Sequence, residues 1–79
     1  MATAKIEKTL TEVYELVSHL IKLPETKMWV DYDKEADVLY ISFKRPQRST
    51  DSEMLENGVL LRYKGEELVG ITVLEASKR

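Results

Sequence analysis

The sequence predicts an α+β fold: one N-terminal amphipathic helix packed on an antiparallel sheet of four strands, or five if a short edge strand forms near Met54. Three observations lead there. Apolar residues recur with a helical period up to Leu23. Past Pro24 the period drops to two. The second part of the chain is then punctuated by short polar turns and not by further helices. Seventy-nine residues predict a single domain, 1–79, and the absence of cysteine removes disulfides and thiolate metal sites. Packing must hold so short a chain together, and self-association is the expected aid.

The helix spans residues 3–23. At 100° per residue, Ile6, Leu10, Val13, Tyr14, Leu16, Val17, Leu20, Ile21 and Leu23 fall within an arc of about 180°. A stripe that packs on one surface needs only about 100°, so this helix has apolar area for two surfaces. Pro24 ends it, because the residue before proline avoids the helical region.

Met28, Val30 and Tyr32 alternate with Trp29 and Asp31 as a first strand, and Val38 to Phe43, rich in β-branched and aromatic residues, is a second. K-R-P-Q-R-S-T-D-S, residues 44–52, is a polar connection. Asn57-Gly58 marks a tight turn between the edge strand near Met54 and a strand over 59–63. Lys64-Gly65-Glu66 turns the chain into a last strand over 68–74, where Gly70 signals a bulge or a close neighbour. Val30-x-Tyr32 with Ile41-Ser42-Phe43 echoes Leu61-x-Tyr63 with Ile71-Thr72-Val73, as two hairpins of one design would.

The acidic stretch from Asp31 to Asp37 has three readings. A calcium loop beginning at Asp31 needs glycine at its sixth position and a bidentate Glu at its twelfth; Ala36 and Ser42 stand there. Paired catalytic carboxylates need a cleft that drives their pKa values apart, which a hairpin end does not offer. A turn accounts for every residue: Asp33 accepts backbone N–H groups two and three residues on, and Asp37 closes the loop. The turn is expected at 33–36, with no metal and no cofactor.

Y-D-x-E-A-D-x-L-Y-I (Tyr32, Asp33, Glu35, Ala36, Asp37, Leu39, Tyr40, Ile41) and G-I-x-V-L-x-A-S (Gly70, Ile71, Val73, Leu74, Ala76, Ser77) resemble the bacterial and archaeal domain-of-unknown-function family 2283 over residues 28–77. The resemblance implies no activity, substrate or cofactor. It suggests a small stand-alone protein, with toxin–antitoxin-like pairing as the kind of partnership. The chain departs from the family pattern at Arg62-Tyr63-Lys64, where relatives often carry acids.

His19, the one histidine, falls on the polar side of the helix, about 100° around from its neighbour Ser18, so the two do not form a nucleophile–base pair and a nucleophilic triad is nearly excluded. Lys44, Arg45 and Arg48 are the residues of an alternative reading, a small nucleic-acid-binding regulator, which the net charge of −2 disfavours. No apolar run approaches a membrane span or a signal-peptide core, so the cytoplasm is the expected location. The function expected is that of a non-enzymatic, self-associating module, a homodimer or larger, open to a protein partner. Leu16, Leu20, Leu23 and Trp29 are its candidate contacts.

Overall fold

The computed structural model describes residues 2–46 and 48–79. Gln47, within the polar connection, lies outside the described residues. The chain is an α+β arrangement of one helix and a five-stranded antiparallel sheet, so the short edge strand does form. In chain order the elements are α1 (Ala2–Leu20), β1 (Trp29–Asp33), β2 (Val38–Ser42), β3 (Asp51–Met54), β4 (Val59–Lys64), β5 (Glu67–Leu74) and a closing 3₁₀ turn, Ala76–Lys78.

Strand order across the sheet is β1-β2-β5-β4-β3. Short turns make the β1–β2, β3–β4 and β4–β5 hairpins, and the connection from β2 to β3 carries the chain past two strands. β5 is therefore central although it forms last in sequence. Its length of eight residues lets it pair with β2 on one side and β4 on the other.

The turns follow from their residues. Asp33 Oδ1 accepts N–H bonds from Glu35 and Ala36, each 3.1 Å, and the turn occupies 34–37, one residue later than expected. Asp37 sits at φ 56°, a left-handed conformation that Asp tolerates better than most side chains. Gly58 takes φ 83° at the Asn57-Gly58 turn, and Asn57 Oδ1 accepts the Val59 N–H at 3.3 Å.

The register divides the sheet into two faces. Val30, Ile41, Ile71 and Leu61 are successive direct partners, forming a row across four strands. Tyr32, Leu39, Val73 and Val59 form a second row beside it on the same face. The echoed hairpins thus meet side by side, with Ile41 opposite Ile71. The other face carries Asp31, Tyr40, Thr72, Leu60 and Met54 as its central row.

One irregularity interrupts this pattern. Arg62 pairs with Gly70 and Tyr63 with Leu68, so Val69 is a surplus residue in β5 and forms a bulge beside Gly70. Val69 is 1 % exposed, and its carbonyl accepts the N–H of Phe43 at 2.9 Å. Val69, Phe43 and Val38 are the buried hydrophobic residues among those described, joined by Thr72. Strict alternation would put Val69, Ile71 and Val73 on one face. The bulge instead puts Leu68 on the face of Ile71 and Val73.

The helix does not pack on the sheet as expected. Its bonds tighten at the C-terminus, where Lys22 and Leu23 donate to His19 and Leu20, three residues back. From there residues 21–28 lead into β1, an outer strand. The described side chains of α1 are all exposed, with Leu10, Val13, Leu16 and Val17 between 43 and 49 %. Periodicity marked the apolar side of this helix, but it did not specify which surface would meet it. Among the described residues no helix is long and apolar enough to cross a membrane.

Candidate interaction surface

The two apolar rows have no cover. Val30 and Tyr32 are 55 and 45 % exposed, and Leu39, Ile41, Val59, Leu61, Ile71 and Val73 are each only partly buried. A sheet normally buries such a face against a second layer. Here the helix that could provide the layer leaves its own stripe, Ile6 to Leu20, in solvent.

The whole molecule shows the same shortfall. A compact chain of 9.1 kDa exposes about 4,900 Å²; this one exposes 6649 Å². Its radius of gyration is 14.6 Å, against about 11.6 Å for a compact domain of this length. The excess area, about 1,700 Å², exceeds the share that one chain contributes to a standard protein interface, about 800 Å².

Of the four contacts expected from sequence, Leu20, Leu23 and Trp29 come together. They line a concavity of about 690 Å³ between the end of α1 and the start of β1, with Ile21 and Met28. Leu16 lies apart, on the helix beside Val13 and Lys5. Trp29 belongs to the sheet face opposite the two apolar rows, paired with Ser42, and the Arg45 guanidinium stands 5.9 Å from its ring centre.

Lys44, Arg45 and Arg48 gather around a second concavity, where Lys64 joins them above Val69. Sequence reasoning did not place Lys64 there, because the pairing of β4 with β5 brings it in. Glu67 offsets this group, with its carboxylate 3.9 Å from Lys44 Nζ.

The acidic hairpin has a different role from either site. Tyr32 Oη donates to Asp37 Oδ1 at 2.6 Å. Ser77 donates twice, from N to Oδ1 at 3.0 Å and from Oγ to Oδ2 at 2.7 Å. The Ala76 N–H binds the Asp37 carbonyl at 2.9 Å. Asp37 therefore ties the first hairpin to the closing 3₁₀ turn, forty residues away, and joins the two halves of the sequence motif. The Tyr32 bond and then the Ser77 bonds hold its carboxyl below the usual range, and the same contact raises the Tyr32 hydroxyl. Sequence reasoning assigned Asp37 only to closing the turn. The Ala76-Ser77 pair that closes the second motif was the available signal.

The described residues contain no cluster of His, Asp or Glu arranged to hold a metal ion. A family model for proteins of unknown function, DUF2283, matches residues 29–77. The chain belongs to the DUF2283 family. The match begins at Trp29 and ends at Ser77, the two limits of the sheet and its Asp37 clasp; α1 lies outside it. Comparison with curated proteins and with solved structures finds no match.

The clasp makes a pH-dependent contribution in this DUF2283 domain. Asp37 has a depressed folded pKa, so its stabilisation is present above the unfolded value, about 3.9. It is lost as pH falls through the lower folded value. Asp37→Asn is expected to melt below the wild type at pH 7 and to show a flatter dependence of Tm on pH in the acid range. Asn tolerates the left-handed backbone, so loss of charge is the main change. Thermal melts followed by circular dichroism from pH 7 to pH 2 check this; parallel curves for the two proteins would contradict it.

Proposed function

We propose that the chain is a non-enzymatic module that self-associates through the apolar sheet face built from the Val30–Leu61 and Tyr32–Val59 rows. The observation that carries this reading is the lack of any second layer over those rows. Burying apolar area stabilises by about 25 cal/mol per Å², and the three buried hydrophobic residues among those described are a small core.

The outer strands favour association by the face. β1 exposes Asp31 and Asp33, and β3 exposes Asp51 and Glu53. Edge-to-edge pairing of like copies would bring these carboxylates together, a common way of blocking strand addition. The carboxylates once considered for catalysis are engaged in structure: Asp33 caps its turn and Asp37 holds the clasp.

Sedimentation and light scattering at micromolar concentration test the reading. The expected mass is twice 9.1 kDa or a higher multiple. A mass that stays at 9.1 kDa as concentration rises overturns it and leaves the face to a different protein.

A further inference from the structure

We infer that the surface covering each apolar sheet face is α1 of a second copy, exchanged reciprocally between two chains. The inference rests on the self-association proposed above and specifies what meets what.

The chain carries two uncovered apolar surfaces of different shape: a helical stripe and a sheet face. Ile6, Leu10, Val13, Val17 and Leu20 follow a 4-3-4-3 spacing along one side of α1, at 37–55 % exposure. Nineteen residues make a rod about 28 Å long and 10–12 Å wide. The four strands bearing the apolar rows span roughly 15–19 Å. The rod therefore crosses the face completely and covers its middle.

The area agrees. A rod of these dimensions has a footprint of about 300 Å². Counting both surfaces of both helix–sheet contacts, a symmetric pair buries about 1,200 Å², the lower end of the range for specific interfaces. Helix-on-helix association would leave the sheet rows bare, and sheet-on-sheet association would leave the helical stripes bare. Reciprocal exchange covers both and closes on a two-fold axis.

The helix joins its own sheet only through a connection. Residues 21–28, with Pro24 among them, link α1 to outer strand β1, and α1 makes no extensive contact with any strand. Apolar Leu20, Leu23, Met28 and Trp29 line the inside of that bend. Exchange of a terminal element across such a hinge needs no contact type that a single chain would not use.

The absence of cysteine makes the test direct. Val13→Cys marks the helix stripe and Leu61→Cys marks the β4 end of the first apolar row. The two single variants are refolded together and treated with a short bis-maleimide, and linked peptides are identified by mass spectrometry. The expected dominant product joins Val13→Cys of one chain to Leu61→Cys of another. A dominant link between two Val13→Cys chains, or between two Leu61→Cys chains, overturns the exchange. So does a link within one chain of the double variant, or no link in a mixture that sediments as a dimer. Val17→Cys replaces Val13→Cys if circular dichroism shows that the first variant has lost its fold. A monomeric mass overturns self-association itself, an outcome separate from every cross-linking result.

Discussion

Phe43→Ala is expected to remove most of the stability of the single chain. Phe43 is 8 % exposed, follows β2 directly, and donates its N–H to the carbonyl of Val69 at the bulge. Truncating a buried Phe costs about 3–5 kcal/mol, from lost transfer energy and the cavity left behind. Small domains have about 5–15 kcal/mol in total, and one with three buried hydrophobic residues lies toward the low end. Denaturant melts at low protein concentration, read by circular dichroism, give the midpoint. Ile41→Ala is the internal control. In a single chain Ile41 lies on the uncovered face and is only partly buried. Its truncation should cost less than that of Phe43 in dilute solution and more as concentration rises. Equal midpoints for wild type and Phe43→Ala would place the core elsewhere.

Val30→Asp should weaken self-association at least about a hundredfold while leaving the single chain folded. Val30 stands on outer strand β1 at the end of the first apolar row and is 55 % exposed, so a carboxylate there stays solvated in the free chain. In the associated state it would be buried without a partner. An uncompensated buried charge costs about 3–5 kcal/mol, which is two to three orders of magnitude in a dissociation constant. Sedimentation over a range of concentrations measures the association, and thermal melts at the lowest concentration measure the fold. A variant that associates like the wild type moves the interface off this face.

Most local features of the chain were legible in its sequence, because they depend on near neighbours. The helical period, the change to alternation past Pro24, the Asn57-Gly58 turn and the Asp33 turn each follow from a few adjacent residues. The end of the helix fell at Leu20 and not Leu23 because the last turn tightens before Pro24. Strand order was not legible, since the pairing of β2 with β5 joins segments about thirty residues apart and leaves no periodic trace. Gly70 signalled the bulge that forms beside it at Val69, but strict alternation assigned Leu68 to the wrong side. The apolar width of α1 was correctly seen as more than one surface requires. Its position was not, because amphipathicity specifies a need for cover without naming the cover. For the candidate surface, Leu20, Leu23 and Trp29 were found together. The eight-residue field of the two apolar rows needed the register to be recognised as one continuous area.

Bulges increase the right-handed twist of the strands that contain them, and the one at Val69 lies where β5 meets β4. Neighbouring strands already rotate by about 20–25° from one to the next, so five strands turn through roughly 80–100° from β1 to β3. The apolar rows therefore lie on a saddle and not on a plane. A cylinder can follow the trough of such a saddle along its length. The extra twist that a single surplus residue adds to β5 thus sets the direction in which a rod such as a helix would lie across these rows.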